Sequence, residues 1–516
     1  MLIGASTDLS PDESYYHMWS ERLAPSYYSK GPGVAVAIRI STTLFGDTAL
    51  GVRFFSALLG LGTSVILYTL ATSLYNDKVA AWAIVVLNLT PIFNAGSTLM
   101  TIDPLMIFFW CGSMLTFWRA LHRTSTASDR YWLATGLLVG LGFLCKYTCA
   151  LQLLSMALLL GLSRRWRGQL GRKGFYKALG VFLTCTIPVL IWNAQHHWIT
   201  VTHLKERAGG DESGGLHISE FGEFLGMHFG VYSPILFVGL LWALYRTART
   251  FLHNDAERFL AAFTFPILAM YFALSFREAG EANWTAPGFL SAGILLAHFW
   301  DTVRLAPGWK RGLQNSALFT AGAISCIALH TDIVRQLGIP WPYHRDPSHR
   351  LRGWEETAEA VEDITQSILK DQVKRKRKDN VFLIANRWQV ASELSFYMRD
   401  DLAVIRPNPK YPLVHTIQSP LPEHQFSFWP RYDGIDIAKS GDSKGTSPAV
   451  REPDSPFLGQ TALYITDDSD RQNPPKSIQS TFEKFHLIRI MDVLRGGNVV
   501  RRIKIFACYN YKHPPI

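Results

Sequence analysis

LSPDESYYHMWSERLAPSYYSKGPG, residues 9–33, decides how the rest of the chain is read. It sets an adjacent acid pair, Asp12 and Glu13, ahead of a dense run of aromatics and closes on Lys30 inside a Gly/Pro turn. Beyond it the sequence is apolar with short polar breaks to about residue 335, and then rich in charge, Pro and Ser. Acids, aromatics and a lysine just before a membrane region place polar chemistry at the height of lipid head groups.

Composition supports that division. The chain has 516 residues, 48% hydrophobic and 18% charged, against about 25% charged in soluble domains. A mean hydropathy of +0.08 is too low for a pure membrane bundle. It suits a membrane domain, 1–335, joined to a polar domain, 336–516. The net charge of +10 reads as cytoplasmic basic loops rather than nucleic-acid binding. The basic run at 374–378, KRKRK, reads as a solvated helix end. Six cysteines are scattered without a CxxC pair, so neither a metal site nor a disulfide framework is indicated.

A bilayer-spanning helix needs about 20 mostly apolar residues. Candidates lie near 51–74, 80–97, 104–119, 131–145, 147–162, 176–192, 226–245, 259–276, 286–301 and 315–332, about ten spans. Segment 33–45 is too short to span, and no signal peptide is evident. One alternating set of loops holds Lys78, Arg119, Arg123, Arg130, SRRWRGQLGRK at 163–173, Arg246, Arg249, Arg258, Arg304, Lys310 and Arg311. The other set is poor in Lys and Arg, and the positive-inside rule turns it outward. That outer set carries the 9–33 loop, Asp103, Lys146, the 193–220 loop, the EANW segment at 281–284 and the polar domain. An active or binding face on the outer surface follows.

Each outer residue has a bland and a functional reading. Asp103, in TIDP, suits a helix cap, and SPDE suits a helix start around Asp12 with Glu13 in the first turn. Ionisable groups at membrane depth are costly and mark function, so Asp12, Asp103 and Glu13 are candidate catalytic acids. Lys30 either snorkels or supplies a point charge to a phosphate, with Gly31 and Gly33 allowing close approach. Lys146 interrupts an apolar hairpin and suits an anionic lipid head group. Tyr15, Tyr16 and Tyr28 form an interfacial belt or stack on sugar rings. His197, next to His196, points away from its neighbour, which argues against a shared metal. Glu281, Asn283 and Trp284 line the same outer face, and Asn283-Trp284-Thr285 also matches a glycosylation sequon.

The ordered strings 8–60, TIDPLMIFFW, GLGFLCKYTCALQL, IWNAQHHW, REAGEANWTAPGFL, QVASELSFYM and QFSFWPRYDG resemble family 39 glycosyltransferases. These are the protein mannosyltransferase-like membrane enzymes that include the lipid A aminoarabinose transferase. The resemblance implies a GT-C fold: a polytopic helical membrane bundle with a C-terminal mixed α/β soluble domain on the outer face. It implies a polyprenyl- or dolichyl-phosphate sugar donor and a hydroxyl acceptor on a protein, lipid or glycan. Asp12 matches the family's first-loop acid, Asp103 its second acid, and Lys30 its basic residue near the lipid phosphate. The His-Pro-Pro form of the family's turn is here Lys30-Gly31-Pro32. The family also places a transmembrane helix ahead of the acid loop, whereas this sequence begins about a dozen residues before Asp12. That helix is expected either upstream of the present start or not at all.

On this reading Asp12 removes the acceptor proton, Asp103 stands second, and Lys30 and Lys146 meet the phosphate. The family implies inversion. A divalent cation at the outer acids is allowed, though no ligand spacing requires one. The setting is a multi-pass protein, in a bacterial inner membrane with its active face periplasmic. A lipid-linked sugar transporter and an inactive lipid-binding relative are the alternatives; a two-repeat transporter would show paired broken spans. In the polar domain, 354–369 reads as an amphipathic helix, 381–385, 402–406, 462–466 and 499–507 as strands, and 434–457 as a loop.

Overall fold

The computed structural model describes residues 7–123, 126–207, 215–302, 307–342, 346–374, 380–398, 402, 404–419, 421–436, 455–468, 470–495 and 498–513. Most of the KRKRK run and of the 434–457 loop lies outside the described residues. Helix α1, Pro11–Ser20, opens with a capping box. Ser10 Oγ accepts from the Glu13 N–H, and Glu13 returns a carboxylate oxygen to the Ser10 N–H. Ser10 is therefore the cap, and Asp12 is released from that duty.

The membrane region follows as α2 (Gly33–Phe45), α3 (Ala49–Leu74), α4 (Asp77–Leu89), α5 (Pro91–Gly96), α6 (Ile102–His122), α7 (Thr126–Cys145), α8 (Leu151–Leu162) and α9 (Lys173–Gln195). It continues with α10 (Ile199–Arg207), α11 (Ile218–Tyr232), α12 (Pro234–Thr250), α13 (Asp255–Leu274), α14 (Ala286–Thr302) and α15 (Pro307–Leu329). Almost every apolar stretch is helical, but length decides the count. Among the described residues, five helices, α3, α6, α9, α13 and α15, are long and apolar enough to cross a bilayer, or six if α11 and α12 form one broken span. That is fewer than the ten expected from apolar runs. Thr90-Pro91 breaks the 80–97 run, and α11 and α12 meet at 109° around Ser233, whose φ is +66°.

Helix α6 is the axis of the bundle, with 78% of its best apolar window buried, against 28%, 28% and 22% in α3, α9 and α15. The outward faces of the latter carry exposed Leu58, Leu61, Val65, Leu183, Ile187 and Phe319. Exposed apolar surface of that extent belongs in lipid. Ion pairs separate the two ends of the bundle. Lys78–Asp301, Arg165–Asp255 and Lys177–Asp129 tie the basic loops together at one end, and Lys146–Asp103 lies at the other.

After the short α16 (Asp332–Gln336) comes the soluble region. It contains α17 (Trp354–Lys374), β1 (Val381–Ala385), α18 (Trp388–Tyr397), β2 (Val414–Thr416), β3 (Thr461–Thr466), β4 (Phe482–Arg495) and β5 (Asn498–Tyr511). The sheet order is β2-β1-β3-β5-β4, with β1 parallel to β2 and β3, and β5 antiparallel to β3 and β4. β1, VFLIA, is buried throughout, as a central strand must be. The 402–406 stretch, expected as a strand, touches β1 through one backbone bond, Ile405 N–H to Val381 O, and forms no strand among its described residues. β4 mixes apolar with charged residues, is largely exposed, and escaped a search based on apolar runs.

Helix α1 packs into the apolar core of this soluble region. Tyr15 lies 4.5 Å from Trp388 and stacks on Phe426, and Leu9, Trp19 and Val390 share one cluster with β1 and β3. The acid loop is thus held between the bundle and the sheet.

Candidate active site

Asp103 is held at both carboxylate oxygens. Thr101 caps α6, accepting from the Asp103 N–H at 3.3 Å, so the expected capping role of Asp103 falls to Thr101. Its carboxylate is left to tertiary partners. Oδ1 accepts from Lys146 Nζ at 2.8 Å and Oδ2 from Asn283 Nδ2 at 2.6 Å. Lys146 is buried at the end of α7, and Asn283 sits in the 282–285 turn before α14. An amide so engaged is structural, which answers the sequon.

Asp12 is the opposite case. It is exposed, and no hydrogen bond reaches its carboxylate among the described residues. Yet protein surrounds it, and that desolvation raises its pKa above the ordinary carboxylate range; Lys30 opposes the shift, while Asp103, Glu13 and Glu281 add to it. An accessible carboxylate enclosed by protein mass is the wall of an inner cleft. Lys30 shares the cleft. Desolvation first, then Lys146 and Arg207, push its ammonium down to about 8, with Asp103 and Asp12 pulling back. Glycine explains how it arrives there. A Cβ on Gly31 would fall 2.2 Å from the Leu144 carbonyl oxygen, and one on Gly33 would fall 2.4 Å from Cys145 Sγ. The turn lies flat on the end of α7, next to Lys146. Tyr16 is buried with its phenol in the field of Asp12, Asp103 and Arg207. Glu281 is exposed on the same rim, and Trp284 rests 5.5 Å from Tyr271.

Four sequence expectations are corrected. Glu13 is fully buried and spent: it accepts from Arg53 Nε and Nη2, both at 2.7 Å, from the Met100 N–H at 2.8 Å and from the Ser10 N–H at 2.9 Å. It fastens α1 to the bundle and has no lone pair left for chemistry. Tyr15 docks onto the soluble region, its hydroxyl accepting from the Gln425 N–H at 2.6 Å. Tyr28 does the same, its N–H donating to Gln425 Oε1 at 2.7 Å. His197 is exposed at φ +54°, and no hydrogen bond or ion pair joins it to the acids among the described residues. Its neighbour His196 stacks on Trp192 at 3.9 Å.

Two contributors escaped sequence reading. Arg207, at the end of α10, lies 5.6 Å from the Trp284 ring and acts on both Lys30 and Tyr16. His228, buried on α11, meets Thr285 Oγ1 at 2.7 Å and so holds the turn that carries Asn283. Only the outward position of Arg207 could have signalled it. No group of three or more His, Cys, Asp or Glu converges as a metal site among the described residues.

From Asp103 a cavity of about 230 Å³ runs into the bundle between α3, α4, α5 and α6. Asp103, Thr101 and Asn283 stand at its polar end; Ile92, Phe93, Leu99 and Ile107 line its apolar walls. A charged head beside an apolar channel fits an amphiphile with one anionic end.

The comparisons with known proteins agree. The family profile described as dolichyl-phosphate-mannose-protein mannosyltransferase matches residues 29–192. The lipid A galacturonosyltransferase RgtD of Rhizobium johnstonii is 29% identical over 341 residues, 66% of this chain and 70% of that protein. An undecaprenyl phosphate-alpha-4-amino-4-deoxy-L-arabinose arabinosyl transferase of Pseudomonas fluorescens is 29% identical over 62% of this chain and 60% of its own length. In fold, the chain resembles ArnT from Cupriavidus metallidurans bound to undecaprenyl phosphate, at a TM-score of 0.61 and 17% identity, covering 98% of this chain and 95% of ArnT. A helical bundle with an outer sheet domain and these relatives define a membrane glycosyltransferase of the GT-C fold. Within that class, the matched profile and the relatives support a family 39-like glycosyltransferase.

Proposed function

We propose that this protein moves a sugar from a polyprenyl-phosphate donor to a hydroxyl of an anionic glycolipid of the lipid A kind, at the periplasmic face of a bacterial inner membrane. The observation that carries the reading is the pairing of a free, desolvated Asp12 with a clamped Asp103 at the mouth of an apolar cavity. The relatives act on lipid A or use undecaprenyl phosphate carriers by name, which supports the same donor and acceptor classes here.

The polyprenyl tail lies in the cavity, and the phosphate meets Lys30, with Lys146 and Arg207 close by. Asp12 takes the proton of the acceptor hydroxyl as its oxygen forms the bond to the anomeric carbon. The bond from that carbon to the phosphate oxygen breaks, and its electron pair leaves on the phosphate. Lys30 stabilises the charge that builds there. Asp103 is a positioning residue, since both its oxygens are engaged. A single displacement inverts the anomeric centre. Asp12 acting as a base is worth about 10² to 10⁴ in rate.

The test is transfer from a panel of radiolabelled undecaprenyl-phosphate sugars to lipid A in membranes. Loss of transfer in Asp12→Asn with retained donor binding supports the assignment. Unchanged transfer removes Asp12 as the base.

A further inference from the structure

The antiparallel pair β4–β5 outgrows its sheet. β3 pairs with β5 only as far as Thr466–Lys504, whereas β4 and β5 stay paired to Arg495–Asn498. Six residues of β5, 498–503, therefore project beyond the edge of β3, a reach of about 20 Å at about 3.3 Å per residue. The projection leaves from the end of the sheet that faces the bundle. That end is where β1 runs into Trp388, which lies against Tyr15 of α1.

The arm is strapped down at its base. Arg501 stacks on Trp354, 3.4 Å from the ring centre, and donates to the His349 carbonyl at 3.4 Å. Gly353, at φ +76°, faces Val493 so closely that a Cβ there would lie 2.9 Å from it. The 346–354 segment is itself bound to the outer end of the last long helix, α15. The hydroxyls of Thr331 and Ser348 meet at 2.6 Å, and Arg335 pairs with Asp346 at 2.7 Å. The arm thus stands at the rim of the bilayer.

Its surface is unusual for such a place in a soluble domain. Ile488, Ile490, Leu494 and Val499 are between 41% and 59% exposed, and Leu337 and Ile339 beside α16 are 73% and 55% exposed. Residues 484–504 carry six Lys or Arg and one acid, Asp492, which is taken up by Arg502 at 2.5 and 2.7 Å. Arg501 is taken up by Trp354, Arg502 by Asp492 and Lys504 is buried, which leaves Lys484 and Arg489 exposed on the same strand as the apolar tips, a mixture that matches the boundary of an anionic lipid leaflet. The same excess charge opposes pairing of two copies along the open edge of β4.

We propose that the β4–β5 arm is an interfacial anchor. Leu494 and Val499, together with Leu337 and Ile339, enter the outer leaflet, and exposed Arg489 lies among anionic head groups. The anchor rests on the membrane reading of the bundle and not on the identity of donor or acceptor. It would hold the sheet, and through Tyr15, Tyr28 and Gln425 the acid loop, at a fixed height above the bilayer.

The full chain is placed in nanodiscs of phosphatidylglycerol and phosphatidylcholine doped with a lipid bearing a photoactivatable diazirine on its acyl chain. Adducts are then mapped by mass spectrometry. Strong labelling of 487–499 and 337–339 is expected, with Leu494→Asp/Val499→Asp reducing the arm's labelling about fivefold while that of α3 and α9 stays constant. Omitting phosphatidylglycerol is expected to reduce it about twofold. The single variant Leu337→Asp, outside the sheet, gives an independent readout on the same rim. Arm labelling no higher than that of buried β1 overturns the proposal. So does a chemical crosslink joining β4 of two copies in place of lipid adducts.

Discussion

Two adjacent carboxylates, Asp12 and Glu13, are expected to fail in opposite ways. Glu13→Gln removes the charge that balances Arg53, a guanidinium only 3% exposed, and weakens four hydrogen bonds at once. Breaking a buried pair by changing one partner costs about 3–5 kcal/mol. Gln can still accept one bond from Arg53, which places the expected loss near the lower figure. A midpoint shift on the order of 3 °C follows for a chain of this length. Replacing both partners, Glu13→Leu with Arg53→Met, should recover much of that loss, since no unpaired charge then remains. Asp12→Asn should do the reverse. The folded protein raises the Asp12 pKa, so it holds that proton more tightly than the unfolded chain does. Stability is then lost as pH rises from the unfolded value through the folded one. The asparagine variant escapes that loss and should melt at or above the parent at neutral pH, with transfer down about 10² to 10⁴-fold. Melting in detergent between pH 5 and 8, beside a transfer assay, reads both variants. A Glu13→Gln protein as stable as the parent, or an Asp12→Asn protein that unfolds, would refute the division of labour.

Other outcomes follow from the same geometry. The kcat/KM for donor should decline as pH rises through about 8, where Lys30 loses its proton, and Lys30→Arg should flatten that limb because a guanidinium stays charged. Asn283→Ala deprives the Asp103 carboxylate of a 2.6 Å bond; a charge-assisted bond is worth about 1.5–3 kcal/mol, so transfer should fall roughly 10- to 100-fold, measured as single-turnover rate. Gly31→Ala drives a methyl into the Leu144 carbonyl at 2.2 Å and should cost about 1–3 kcal/mol, seen as lowered melting and weaker donor binding. Thr63→Trp narrows the cavity wall and should weaken binding of a long-chain polyprenyl phosphate while sparing a short-chain analogue, by competition binding.

The acid loop, the Asp103 turn and Lys146 were legible because ionisable groups beside apolar runs stand out, and the loop charges oriented them. Their roles were less legible. Glu13 and Asp12 differ by one position, and a helix turns about 100° per residue, so one faces Arg53 and the other the cleft. Which faces which depends on where Arg53 lies, 40 residues on. His197 looked functional by its setting at the end of a span, but its left-handed backbone turns it outward.

What the sequence determined by itself was the membrane character, because hydropathy acts locally and needs no partner; the loop charges gave an expected orientation. The class of enzyme was readable too, since an ordered series of motifs survives changes elsewhere. Only the tertiary structure decided which carboxylate is spent on Arg53, which is clamped by Lys146 and Asn283, and which remains free. It also brought Arg207 and His228 to the site and extended the β4–β5 arm beyond the edge of β3. These follow from contacts between residues far apart in the chain, whose energies depend on burial and on distance.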